Sequence, residues 1–345
     1  MVIALVCLAF PRTWLRYAGS PPRDNTAVSV DTGASGGRFP WWGTAGIVLT
    51  AVSWIAAWIR PDFLGALTRY TFTPLWIGFI LTLDGFVHKR KGHSMITRSP
   101  SGFILLFPVS AIGWWFFEYL NRFVQNWYYT AVAHYGPYEY IVSATFPFAT
   151  VIPAVFEMTE LIGSSKWLQR RYQHLPRLPL PPRGIRPAAL VAGFLGLTAA
   201  ALWPHLFFPA LWVAPLFIVI PVLSYMGVPS PTAWMWNGDW RAVIALALGT
   251  LCCGFFWEMW NIYSLPKWYY TIPYVGSFRV FEMPVLGYFG YLPFGLECYC
   301  FYALAKSCVA AKPFRDLKAC DGVIPHLSRA FAETREKDKR CIHDL

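Results

Sequence analysis

Six carboxylates interrupt otherwise apolar stretches of this chain: Asp84, Glu118, Glu157, Glu160, Glu258 and Glu297. In hydrocarbon a charged carboxylate costs about 2.5–3.5 kcal/mol on insertion scales, so such groups face a bundle interior or a wet cavity. Four of them recur in register. Glu118 and Glu258 are 140 residues apart, and so are Glu157 and Glu297. A glutamic acid embedded among apolar groups can hold a proton, deliver it as a general acid and take one back as a base. The spacing therefore nominates two acidic sites, one per half of the chain, for proton transfer or cation contact. The competing expectation is that each Glu hydrogen-bonds a neighbouring helix and only locks the fold.

The recurrence extends well beyond the acids. Trp114-Trp-Phe-Phe-Glu-Tyr-Leu-Asn121 aligns with Gly254-Phe-Phe-Trp-Glu-Met-Trp-Asn261. Trp127-Tyr-Tyr-Thr130 returns as Trp268-Tyr-Tyr-Thr271 at offset 141, and Pro153-x-x-x-Glu157 as Pro293-x-x-x-Glu297 at offset 140. Ordered matches of this kind mark an internal duplication. Asn121, Asn261, Trp127, Tyr128, Trp268 and Tyr269 thus become candidate substrate-binding residues beside Glu118, Glu157, Glu258 and Glu297. Aromatic faces stabilise cations, and a carbocation beside an acid is the chemistry of proton-initiated polyene cyclisation. Aromatic residues also collect at membrane interfaces as anchors without any ligand.

The segment Phe255-Phe-Trp-Glu-Met-Trp-Asn-Ile-Tyr263 resembles the acid-bearing helix of small integral-membrane terpene cyclases, over fewer than ten residues. That resemblance implies Glu258 as the acid. Other motifs are absent. There is no glycine-rich phosphate loop, no Asp-rich prenyl-diphosphate motif and no nucleophile elbow. The seven His are scattered, and neither His134 nor His205 has a partner at ligand spacing, so no metal and no cofactor is expected.

Composition fixes the setting for these groups. Of 345 residues, 56 % are hydrophobic and only 14 % are charged, against about 25 % charged in a soluble domain. Eighteen Trp, 18 Tyr and 27 Phe exceed what one soluble core needs. Disordered chains, disulfide-stapled secreted domains and ordinary cytosolic enzymes are excluded. A polytopic membrane protein remains.

Eight apolar runs approach the roughly 20 residues that a membrane helix needs: 41–59, 72–88, 102–120, 141–163, 187–204, 210–226, 241–260 and 283–305. With both termini cytoplasmic, 24 of the 29 Lys and Arg fall on the cytoplasmic side and five outside. This is the positive-inside pattern. The net charge of +11 is then topological, and no nucleic-acid partner is needed to explain it.

The expected fold is all-α and integral to the cell membrane, with about eight helices as two tandem parallel four-helix repeats. Residues 1–40 form a flexible N-terminal cytoplasmic segment, 41–163 the first membrane repeat and 164–186 a basic linker. Residues 187–305 form the second repeat and 306–345 a polar cytoplasmic tail. No Cys falls in an external loop under this topology, so no disulfide framework is expected.

Three functions are compatible with these features. The first is modification of a lipid or isoprenoid by acid/base chemistry of the cyclase or isomerase kind. The second is a secondary transporter with proton-linked Glu sites, since parallel repeats occur among transporters. The third is an accessory subunit of a membrane complex. Expected partners are membrane lipids and a hydrophobic small molecule. The oligomeric state is open.

Overall fold

The computed structural model describes residues 37–133, 135–178 and 185–309. The expected N-terminal segment up to residue 36, part of the basic linker and the tail from residue 310 lie outside these residues. About three quarters of the described residues are helical. Six helices are long and apolar enough to cross a membrane, and seven if one bent pair counts as a span. The molecule is an all-α protein of the multi-pass membrane type.

The elements run in the following order. Helix α1 (Trp41–Ile59) is followed by a 3-10 segment (Asp62–Tyr70) and α2 (Phe72–Lys91), which bend by 68° against each other. Then come a short α3 (Met95–Arg98), α4 (Pro100–Val124) and strand β1 (Trp127–Thr130). Helices α5 (Pro137–Ala149) and α6 (Val151–Gly163) form one broken span, capped by a short α7 (Lys166–Arg171). Helix α8 (Ile185–Leu202) precedes α9 (Pro204–Phe207), a 3-10 turn (Phe208–Trp212) and α10 (Ala214–Tyr225). A short α11 (Pro231–Trp236) leads to α12 (Arg241–Asn261) and β2 (Lys267–Tyr270). A small hairpin, β3 (Arg279–Val280) with β4 (Met283–Pro284), and a 3-10 turn (Val285–Gly290) deliver the chain into α13 (Tyr291–Val309).

Two departures from the expected spans have local causes. The eighth expected span, 283–305, does not begin until Tyr291, and α13 is not among the helices that meet the length and hydropathy criteria for crossing. Pro284, Gly287 and Gly290 occupy the missing start, and proline and glycine both oppose helix there. A Cβ on Gly287 would meet the Met283 sulfur at 2.5 Å, so a larger residue there would require that side chain to shift.

The fourth span is continuous in sequence but breaks at Thr150 between α5 and α6. Pro153 has no N–H to give the Ala149 carbonyl, and Pro147 sits inside the last turns of α5. The gap is stitched from outside. The Ser110 hydroxyl on α4 donates to the Phe148 carbonyl at 2.5 Å and accepts from the Ile152 N–H at 2.9 Å. One side chain thereby replaces the backbone bond that an unbroken helix would make between residues 148 and 152.

Aromatic packing joins the two halves of the chain. Trp76 of α2 is fully buried against Trp257 and Trp260 of α12, with ring centroids 5.1 and 5.0 Å apart. Phe117 of α4 stacks on Trp212 at 5.2 Å and meets Phe294 of α13 at 5.4 Å. Much of the aromatic excess is therefore interior. The helices facing outward, such as α1 and α8, present Ile, Val, Leu and Phe at high exposure, as lipid-facing surfaces do.

The charged segments gather at opposite ends. At one end Lys91 and Arg98 pair with the buried Glu160, at 2.8 and 3.0 Å. At the other end Arg60 donates to the Tyr263 carbonyl at 2.6 Å, beside the strands.

Replacing Ser110 by Ala strands a buried carbonyl and a buried N–H at the helix break. Each unsatisfied buried group costs about 1–3 kcal/mol. The thermal midpoint in detergent should fall accordingly, with Ser110→Thr retaining most of the stability. An unchanged midpoint for Ser110→Ala would show that the break closes without the hydroxyl.

Candidate functional site

The two recurring aromatic motifs meet each other. Strands β1 and β2 pair antiparallel, with Trp127 opposite Tyr270, Tyr128 opposite Tyr269 and Tyr129 opposite Trp268. The equivalent residues Tyr128 and Tyr269 pair with one another at the centre. Beyond the strands, Thr271 N–H donates to the Asn126 carbonyl at 2.8 Å, and its hydroxyl bonds the Gln125 carbonyl. On the other flank the Thr130 hydroxyl donates to the Lys267 carbonyl at 3.2 Å.

Each strand is tied to the helix before it by an asparagine. Asn121 Nδ2 donates to the Trp127 carbonyl at 2.7 Å, and its Oδ1 accepts from the Asn126 and Trp127 N–H groups at 2.8 and 3.3 Å. Asn261 Nδ2 donates to the Trp268 carbonyl at 2.7 Å, and its Oδ1 accepts from Trp268 N–H at 2.9 Å. Both amides are buried, and each bonds backbone through both its Nδ2 and its Oδ1. Asn121 and Asn261, expected to bind substrate, are placed as braces for the loops that do line a cavity.

Alternation along a strand sends successive side chains to opposite faces. Trp127, Tyr129, Trp268 and Tyr270 face inward and line a cavity of about 290 Å³. This lies near the lower end of the roughly 300–1,000 Å³ typical of small-molecule sites. The walls are mainly aromatic and aliphatic, with Trp114, Phe148, Trp212, Trp257 and Tyr291 among them. Arg69, Thr73, Asn126 and Ser143 supply polar edges. Tyr128 and Tyr269 take the other face, stacked on each other at 5.8 Å with the Lys267 ammonium 4.8 Å above the Tyr269 ring. They do not line the cavity.

The acids stand behind the aromatic wall. Glu258 is fully buried, and its Oε1 accepts from the Tyr270 and Tyr291 hydroxyls at 2.6 and 2.8 Å. The Trp268 indole N–H donates to the Tyr270 hydroxyl at 2.9 Å, which orients that hydroxyl proton toward Glu258. Glu258 Oε2 has no hydrogen-bond partner. Glu118 Oε1 accepts from Trp114, Trp127 and Tyr129 at 3.1, 3.0 and 2.6 Å.

The two acid sites share a Tyr–Glu contact but differ in their remaining donors. An indole N–H only donates, whereas a phenol both donates and accepts. Glu118 is committed mainly to receiving hydrogen bonds. Glu258 is linked to the cavity by two reversible hydroxyls. Burial and the Glu258 carboxylate push the Tyr270 phenol well above its ordinary value, and burial with Glu118 does the same for Tyr129.

Glu157 and Glu297 lie elsewhere. Both are buried; Glu297 has no hydrogen-bond partner for either carboxylate oxygen, and Glu157 faces the Asp84 carboxyl. Glu157 neighbours Asp84 and Glu160 at the end where Lys91 and Arg98 sit. Asp84 accepts from the Trp42 indole and the Ile96 N–H at 2.8 and 3.1 Å. Glu297 neighbours Cys298 and Cys300. None of the four glutamates lines the cavity: Glu118 and Glu258 accept hydrogen bonds from residues of its wall, and Glu157 and Glu297 do not. Helices α4 and α12 start at Pro100 and Arg241, too early to bring the acids of one half together.

Tyr291, Asn126 and Arg69 line the cavity without any sequence motif that marks them, whereas Trp114, Tyr129 and Tyr270 belong to the recurring segments. As a strand, Trp127–Thr130 places Tyr129 on the face of Trp127 and Tyr128 on the other. Tyr291 and Arg69 arrive from distant segments, and no local pattern marks them. Among the described residues no group of three or more His, Cys, Asp or Glu is placed to hold a metal ion, and Cys252, Cys253, Cys298, Cys300 and Cys308 are free thiols.

The braces make a testable claim. Asn121→Ala and Asn261→Ala each leave the backbone groups of a buried strand start unpaired. Each should lower stability by about 1–3 kcal/mol, read as a drop in the detergent melting midpoint. A midpoint unchanged by either substitution would assign the asparagines to something other than bracing.

Comparison with protein-family models, with curated proteins and with solved structures gives no match.

Proposed function

We propose that this protein binds an apolar, isoprenoid-type molecule in the aromatic cavity and modifies it by proton transfer, with Glu258 as the acid/base group. The observation that carries the reading is the Glu258–Tyr270–Tyr291 contact: a buried carboxylate whose hydrogen-bonded phenols form part of the cavity wall. A proton passes from Glu258 through a phenol to a carbon–carbon double bond of the substrate. The resulting carbocation lies against Trp and Tyr faces that stabilise positive charge. Loss of a proton from a neighbouring carbon, back through the phenol to Glu258, leaves a cyclised or double-bond-shifted product. Proton gain and loss balance, so the step needs no oxidant. The high proton affinity of the Tyr270 phenol favours a concerted relay over a free phenolate.

Glu118 is proposed as the structural counterpart of Glu258, with its Trp donors fixing the opposite wall. Trp127 and Trp268 are proposed substrate contacts. Glu157 and Glu297 are proposed to serve the same protein away from the chemistry, in packing or proton uptake. Two tandem parallel repeats are the arrangement we favour, and two observations support it. β1 and β2 pair about their equivalent central tyrosines, and the Asn brace and the Tyr–Glu bond each occur twice. We also favour a cell-membrane location with both termini cytoplasmic, which rests on the charge bias of the sequence.

Expression in a host that makes polyprenyl and carotenoid precursors, followed by mass spectrometry of extracted lipids, tests the activity. The protein should give a product isomeric with a host isoprenoid. Glu258→Gln should lower its amount by about 100-fold or more, within the range of general acid–base catalysis, and Tyr270→Phe should lower it too. Identical lipid profiles with and without Glu258 would overturn the enzymatic reading and favour transport or an accessory role. For orientation, a membrane-impermeant thiol reagent on intact cells should label Ser277→Cys beyond the background of the unsubstituted protein. His174→Cys, at the other end, should stay unlabelled; the reverse pattern inverts the topology.

A further inference from the structure

We infer that Asn126 is the polar recognition residue of the cavity, and that the molecule bound there carries a hydroxyl on its apolar body. This rests on the proposed use of the cavity for an isoprenoid-type molecule and adds the functional group the site selects.

Asn126 lines the cavity and is 1 % exposed, yet neither its Nδ2 nor its Oδ1 has a hydrogen-bond partner. Buried amides are almost always paired, because an unpaired one forfeits its hydration without return. The contrast with its own backbone is sharp. The Asn126 N–H donates to Asn121 Oδ1 at 2.8 Å, and its carbonyl accepts from Thr271 N–H at 2.8 Å. The preceding residue, Gln125, holds the left-handed conformation at φ 50°, which non-glycine residues adopt only where the surroundings over-determine it. The main chain is thus fixed on three sides while the buried side-chain amide, in a residue of the cavity lining, is left unpaired.

An amide offers one acceptor and two donor hydrogens side by side. Its complement is a neutral group that both donates and accepts, and in an otherwise apolar cavity an alcohol is the smallest such group. A pure hydrocarbon would leave the amide buried and unpaired, and sites that pair a substrate hydroxyl discriminate strongly against the analogue that lacks it. The residue 141 positions later in the chain, where the motifs would place an equivalent, is Lys267. Its ammonium pairs with Glu282 at 2.6 Å and it does not line the cavity. The selectivity therefore belongs to one half of the chain.

Quenching of cavity tryptophan fluorescence in the detergent-purified full chain reads binding of three probes. These are farnesol, its methyl ether and the hydrocarbon farnesene. Farnesol should bind at least about 10-fold more tightly than farnesene, with the ether, which accepts but cannot donate, between them. Asn126→Leu should abolish the preference while keeping farnesene binding. Its ligand-free melting temperature should be unchanged or raised, whereas loss of a structural asparagine would lower it. Equal affinities for farnesol and farnesene in the unsubstituted protein would overturn the inference and leave the apolar site standing. Failure of all three probes to bind would overturn the proposed use of the cavity itself.

Discussion

The antiparallel pairing of β1 with β2 is the contact on which the cavity depends. Two loops from opposite halves of the chain would otherwise end in open backbone groups at the edge of an apolar bundle, where unsatisfied N–H and C=O groups are expensive. Each loop satisfies the other's. Once they pair, side-chain alternation follows automatically. Trp127, Tyr129, Trp268 and Tyr270 turn inward, and their polar tips must find acceptors. Glu118 accepts from Trp127 and Tyr129, Glu258 accepts from Tyr270, and the Trp268 indole donates to the Tyr270 hydroxyl. The carboxylates in turn have a reason to be buried, because their phenol and indole donors replace part of the water they lost.

This interdependence accounts for the placement of the asparagines. Asn121 and Asn261 each follow their glutamate by three residues, so both side chains leave the same face of the helix about one turn apart. The glutamate reaches the side chains of the strand and the asparagine reaches its backbone. A helix end, a turn and a strand are thereby fixed by two side chains. The same device serves both halves, yet the surroundings differ. Tyr291 completes the Glu258 site, whereas Trp114 completes the Glu118 site. A phenol conducts a proton in either direction and an indole does not. Glu118 has one phenol partner, Tyr129, and two indoles, whereas Glu258 has two phenols.

The helix break at Thr150 and the late start of α13 both shape the cavity. Phe148 and Val151 flank the break, Gly287 and Gly290 belong to the turn before α13, and all four line the cavity. A straight fourth span and an unbroken eighth would fill this space with helix. At the helix break the irregular backbone is tolerated because Ser110 satisfies it within the protein.

The membrane character, most of the span positions and the recurrence at 140 residues were legible in the sequence. They depend on local composition and on order along the chain. That Glu118 and Glu258 must find hydrogen-bond partners was also legible, since a carboxylate among Phe and Trp is costly to leave unpaired. Pairing the recurring Trp-Tyr-Tyr-Thr segments as strands was not, because four residues between helices carry no periodicity long enough to read. Tyr128 and Tyr269 were therefore expected at the site that Tyr129 and Tyr270 occupy. Glu157 and Glu297 share the recurrence but not the cavity, because depth along a helix axis and the facing of its neighbours are set by packing. The open amide of Asn126 belongs to the same class. Its residue type was in the sequence, but only the folded chain could show that both its hydrogen-bonding ends had been left unused. By itself the sequence determined which groups are costly to bury; the tertiary structure decided which of those costs are met by partners, because partners come from segments far apart in the chain.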